Sequence, residues 1–190
     1  EQLLLGIQYY NEHYQHWVSS YKRLRRKGDG YWFHLERLSE SQVKGEIIGF
    51  LNEWLCRVNY RSALSLKQAL NHLPPFYAAL KDEAIENIKF DTLKIVQNQQ
   101  MSNSSIVKKI MKYFLGVAPK FGSVAASKLM HMAIPALFVM WDTGVKSQYR
   151  IPNYHSVDHA SKYLKFLKLM QLQIRHAIDS YSKAYCVSVQ

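Results

Sequence analysis

Apolar residues recur along most of the chain at three- and four-residue steps, the period of one helix face. Nowhere do they alternate in the two-residue step of a half-buried strand. Gln2 to Leu24 sets Tyr10, Tyr14, Trp17 and Tyr21 on one such face, an aromatic stripe better suited to a core than to base stacking. Ser39 to Val58 sets Val43, Ile47, Phe50, Leu51, Trp54 and Leu55 on another, with Ser39 or Ser41 as its cap. Asn59 to Ser65 reads as a loop, and a short helix over Leu66 to Leu73 stops at Pro74-Pro75. Helix resumes from Phe76 to Phe90, and Asp91 caps a further one to Asn98. After the polar stretch from Asn98 to Ser105, Ser104 or Ser105 caps Ile106 to Leu115, which Gly116 ends. Small and apolar residues from Ala125 to Ala133 suit a closely packed helix that Pro135 stops. Val145 to Asn153 reads as irregular. Ser156 caps a long last helix to Tyr185, with Ala160, Tyr163, Leu164, Leu167, Met170, Ile174, Ile178 and Tyr181 on one face. The fold class expected is all-α. Residues 1–190 form a single domain, with lobes 1–98 and 105–190 joined by the polar linker.

Charge narrows the function. A net charge of +11 points to a polyanion, most simply nucleic acid, and DNA is the partner expected; an acidic protein partner is the remaining reading. The densest positive run is Lys22, Arg23, Arg25, Arg26 and Lys27, ahead of Gly28. It suits phosphates, and equally suits a helix C-terminus whose cations face the dipole. Lys162, Lys165 and Lys168 read as a solvated face. Cys56 and Cys186 make no zinc pattern, fit a reducing cytoplasm, and leave one disulfide open. The most apolar run, Leu129 to Trp141, falls short of the roughly 20 residues a spanning helix needs, so no membrane partner is expected and the location is read as cytoplasmic.

The chain from Ala118 to Tyr149 concentrates the chemistry. Pro119 and Gly122 supply a turn, a helix follows, and after the apolar connector Ala136 to Trp141 comes one acid, Asp142. An acid directly after such a run has either a partner or a job. This segment resembles the helix-hairpin-helix Gly/Pro-Asp superfamily of DNA glycosylases, in which a turn of the type L-P-G-V-G-x-K opens a helix. Ala118-Pro119-Lys120-Phe121-Gly122-Ser123-Val124 falls on that turn. Asp142, eighteen positions after Val124, falls on the catalytic aspartate, and Thr143-Gly144-Val145 resembles the D-T-H-V that follows it. Lys120 stands where the hairpin's first glycine belongs. Val124 stands where a lyase-competent member carries its Schiff-base lysine, so the resemblance implies base excision without lyase chemistry.

It also implies the roles. Asp142 would stabilise the cationic sugar formed as the glycosidic bond of a flipped nucleotide breaks. Pro119, Lys120, Gly122, Ser123 and Lys128 would meet the DNA backbone, and Trp141 and Tyr149 would stack on bases. The residues alone also allow Asp142 to cap a helix turn through the amide of Gly144 or Val145, and allow Trp141, Tyr149 and Trp17 to be core. His131 reads as a satisfied core histidine. His155 and His159 sit four apart but lack a third ligand, so no metal and no cofactor is expected. The competing function is a catalytically inactive nucleic-acid-binding or protein-interaction module of the same fold.

Overall fold

One amphipathic helix, Ile106–Phe121, carries the core. Val107, Ile110, Tyr113, Phe114, Val117 and Phe121 are all buried on one face of it. It is α6 in a computed structural model that describes residues 8–9, 12–90, 106–150 and 159–185. Before it come α1 (Gln15–Arg25), α2 (Gly28–Phe33), α3 (residues 40–53), α4 (Ala63–Leu70) and α5 (Pro74–Leu80). After it come α7 (Ser123–Ala133), α8 (Thr143–Gln148) and α9 (His159–Tyr185). The described residues contain no strand, so the architecture is all-α. Helices α4, α5, α7 and α9 pack on α6, and α1 lies against α3 and α7. Buried side chains from Leu24 to Leu167 join in one cluster, so both ends of the described chain share a core.

Several boundaries differ from the sequence expectation, each for a local reason. Gly116 does not end α6. It lies inside the helix against Leu73, whose Cδ2 would stand 3.5 Å from an added Cβ, and Val117 and Phe121 beyond it extend the buried stripe. Pro119 accordingly sits in the last helical turn, and the break between α6 and α7 is the single residue Gly122, at φ 82°. Pro74 and Pro75 start α5 rather than separate two helices, because the first turn needs no intrahelical N–H. Residues 145–148, expected to be irregular, belong to α8. The basic run ends α1 as its dipole favours, with Lys22, Arg23 and Arg25 in the last turn and Gly28 at φ 68° beyond it.

Helix α3 opens with a reciprocal capping box between Ser39 and Gln42 and widens to a π-helix over Val43–Ile48. It closes at Glu53, short of the expected Val58. The last helix follows its predicted face: Ala160, Tyr163, Leu164 and Leu167 are buried, while Ile178 and Tyr181 are exposed. Buried Gln171 on α9 donates to the carbonyls of Ile85 (2.5 Å) and Ile88 (2.8 Å), tying the segment after α5 to the last helix. The expected helix over 91–98, the linker to 105, His155 with the cap at Ser156, Tyr10 and Cys186 lie outside the described residues.

Tyr113, at the centre of α6, is fully buried, and its hydroxyl has no hydrogen-bond partner among the described residues. A buried hydroxyl left unpaired costs about 1–3 kcal/mol. Tyr113→Phe, which removes it and keeps the ring between Phe76 and Phe138, is therefore expected to raise stability by about 1 kcal/mol, read as the denaturant midpoint at unchanged m-value.

Candidate functional site

The site is built on the first turns of α7. Gly122 precedes it with no side-chain cap, so the opening amides have no capping oxygen. Ser127, one turn in, lies in the core. Its Oγ donates in a shared fashion toward the carbonyls of Val124 (2.8 Å) and Trp141 (3.1 Å) and accepts from the Trp141 amide (3.1 Å). The Trp141 Nε1–H donates to the Ser123 carbonyl at 3.0 Å. These bonds lay the connector after Pro135 back along α7, so the next residue, Asp142, emerges beside the Gly122 break.

Asp142 is exposed and is the N-cap of α8. Its Oδ1 accepts the Val145 amide at 2.9 Å. Gly144 leaves room for this, since a Cβ there would stand 3.3 Å from Oδ1. One turn on, Lys146 folds back into the protein at 5% exposure. Its Nζ donates to Ser123 Oγ at 3.0 Å and lies 4.7 Å from the centre of the Trp141 ring, a cation–π contact. Burial pulls the Lys146 pKa down, and the Asp142 carboxylate pushes the other way. Lysine in this place has no signal in the sequence, where it reads as one more surface cation.

The second wall is the chain that leaves α3. Lys128, on α7 and 7% exposed, donates to the Trp54 carbonyl at 2.7 Å and lies 5.6 Å from the Trp54 ring centre. Asn52 grips the far side of the same turn, donating to the Val58 carbonyl (2.9 Å) and accepting its amide (2.6 Å). Between these clamps Leu55 and Arg57 take left-handed φ values of 62° and 52° on either side of Cys56. Each such residue without glycine costs about 1–2 kcal/mol. Burial raises the Cys56 pKa; the Lys128 ammonium opposes this and the Asp142 carboxylate adds to it.

Other residues expected at the site are placed differently. Trp141, expected to stack on a base, is at 0% exposure among Phe114, Tyr163 and Phe166, so it is a core side chain. Tyr149 is half-buried edge-on against Phe166, with its hydroxyl donating to Gln173 at 2.8 Å. Lys128, expected on the DNA backbone, is held inside by the bonds above, and Ser123, expected there too, is half-buried with its hydroxyl accepting from Lys146. Arg25 also turns inward, donating to the Met132 carbonyl at 2.8 Å at the C-terminus of α7. Arg23 pairs with Glu53 at 2.8 Å and Lys27 with Glu46 at 2.9 Å. Lys22, Arg26, Pro119, Lys120 and Gly122 are exposed, and the Lys22, Arg26 and Lys120 side chains carry no bond among the described residues. Trp17, Tyr21 and Trp54 pack together, which makes the stripe on α1 a packing surface. Among the described residues no group of three His, Cys, Asp or Glu could hold a metal, and no helix is long and apolar enough to cross a membrane.

No protein-family model matches the chain, and neither a curated protein nor a solved structure matches it.

Asp142→Ala is expected to destabilise by about 1 kcal/mol through loss of the α8 cap, whereas Asp142→Asn, an equally good cap, should lose only a few tenths; denaturant melts of the two variants distinguish them. His131 supplies a pH dependence. Its Nδ1–H donates to the Phe138 carbonyl at 2.6 Å, leaving Nε2 to accept from the Tyr21 hydroxyl at 3.3 Å, so the neutral ring is the one satisfied. Burial lowers its pKa below the ordinary 6.5, with the Phe138 bond opposing and Arg25 assisting. Below 6.5 the unfolded chain therefore binds the proton first, and stability falls as pH drops through that value toward the lower folded one. Thermal melts across this range should show that loss in the wild type and a shallower one in His131→Gln.

Proposed function

We propose that this chain binds DNA at the Gly122 break and excises a damaged or modified base as a monofunctional glycosylase, with Asp142 as the acid. The observation that carries the reading is the meeting of two distant stretches. The uncapped start of α7 and the exposed Asp142 are joined through Trp141 Nε1 to Ser123 (3.0 Å) and Lys146 Nζ to Ser123 (3.0 Å). In this reading α6, Gly122 and α7 form the helix-hairpin-helix element. The α7 amides, exposed Lys120 and the unpaired Lys22 and Arg26 meet phosphates. With the target nucleotide flipped out, Asp142 opposes the charge that grows on the sugar and orients a water. Val124 offers no amine, so the strand is left intact. The location in this reading is cytoplasmic, where a thiol at Cys56 would stay reduced.

A second reading, the non-catalytic DNA-binding module, is favoured by one observation: Asp142 Oδ1 is already engaged by the Val145 amide. The deciding experiment is base release from duplexes that each carry one damaged base, with strand cleavage scored with and without alkali. Alkali-dependent cleavage by the wild type, lost in the well-capped Asp142→Asn, is expected. Salt-sensitive DNA binding with no release from any duplex would establish the module instead. Cleavage without alkali would overturn the absence of lyase chemistry and direct attention to Lys146.

A further inference from the structure

Arg25 and Lys128 turn inward to donate to backbone carbonyls, which can only accept. Lys146 turns inward onto a group that can also lose a proton. Its Nζ lies 3.0 Å from the Ser123 hydroxyl oxygen. A serine hydroxyl within hydrogen-bond reach of a buried amine is the arrangement of a nucleophile and its base. Burial draws the Lys146 pKa below the usual lysine value, with the Asp142 carboxylate opposing. At rest the ammonium donates to Ser123; the neutral amine, which can take the serine proton, is reached at a lower pH than in an exposed lysine.

One buried indole positions both partners. The Ser123 carbonyl accepts from Trp141 Nε1 at 3.0 Å, and Lys146 Nζ lies 4.7 Å from the centre of the same ring. The outer side is open. Ser123 is half-buried and follows exposed Gly122, where an added Cβ would meet nothing within 4 Å. Ser127, one turn on, has no such access, because it is fully buried with its hydroxyl on the Val124 and Trp141 carbonyls. The left-handed Gly122 makes Ser123 the first residue of α7, beside amides that carry no side-chain cap. Uncapped amides next to a nucleophile are donors for an oxyanion. Asp142 acts on Lys146 from one helical turn away, and its charge disfavours an anionic reacting group there. A neutral carbonyl compound fits better.

We propose that Ser123 and Lys146 are a catalytic nucleophile and base that hydrolyse a neutral carboxylic ester, an activity separate from base excision. Lys146 Nζ takes the Ser123 proton as Oγ bonds to the carbonyl carbon, and the opening amides of α7 donate to the oxyanion. Collapse breaks the ester C–O bond, and the ammonium returns the proton to the departing alcohol. Water then attacks the acyl-serine and gives a proton to Lys146. That proton passes to Ser123 Oγ as the carboxylic acid leaves.

The test is labelling of the intact chain with a fluorophosphonate, which loses fluoride as a serine oxygen bonds to its phosphorus, followed by peptide mass mapping. Wild type should be labelled at Ser123, at a rate that rises with pH through an ionisation below the ordinary lysine value of 10.5. Lys146→Met keeps the apolar stem and removes the amine, so labelling should slow by about a hundredfold or more. The ester probe, p-nitrophenyl acetate, should be hydrolysed faster by the wild type than by Ser123→Ala. Wild type that takes no label, or takes it only at another residue, would overturn the proposal whether or not the variants fold. So would a labelling rate unchanged in Lys146→Met, or ester hydrolysis undiminished in Ser123→Ala. None of these outcomes decides the DNA-binding reading, which base release tests.

Discussion

Burial of the Trp141 indole is the constraint on which the placement of Asp142 beside the start of α7 depends. The ring fills space between α6 and α9 against Phe114, Tyr163 and Phe166, and its Nε1–H is satisfied by the Ser123 carbonyl at 3.0 Å. A buried indole left without that acceptor would pay for an unmade hydrogen bond. The bond therefore fixes where the chain emerges from the core, and so where Asp142 stands relative to the start of α7. Ser127 reinforces the register with its own bonds to the Trp141 backbone. The acid is on the surface, yet its position is set by core packing.

Local signals in the sequence survived where they agreed with tertiary packing. The D-T-G-V stretch was legible as a cap, and the cap on the Val145 amide is what forms. The stripe from Ala160 to Leu167 was legible as core, and it is buried. Local signals failed where burial outweighed them. Gly116 and Pro119 are helix breakers by propensity, but Val117 and Phe121 fill the core from the turn they would have ended. The lysines misled for a related reason. Lys128 and Lys146 have the composition of surface cations, and only the fold supplies the carbonyl, hydroxyl and aromatic faces that let their stems go inside. Leu55 reversed the error. Helical spacing placed it on the buried stripe, but α3 stops at Glu53 and the left-handed backbone turns it out.

Those inward cations change what the net charge means. The +11 total counts Arg25, Lys128 and Lys146, each of which holds the structure by donating to a backbone carbonyl or a hydroxyl. Arg23 and Lys27 are matched by carboxylates. The positive field left for a phosphate partner comes from fewer groups, and Lys22, Arg26, Arg57, Arg61 and Lys120 are among the exposed ones without partners among the described residues. In the DNA-binding reading proposed above, contacts spread over several phosphates would fix orientation as well as affinity.

In the glycosylase reading proposed above, capping and catalysis would call on the same carboxylate at Asp142, and the two demands have a physical resolution. Accepting the Val145 amide draws electron density toward Oδ1 and weakens the field the carboxylate can direct at a cationic sugar. The same bond holds the side chain in one rotamer, so no entropy is lost in aiming it. Preorganisation of this kind is worth most where the opposing charge exists only briefly, as in glycosidic cleavage. Lys146 sharpens the arrangement. Buried and directed at Ser123, its ammonium gives α8 an inner anchor, and the Val145 amide engages only Oδ1 of Asp142.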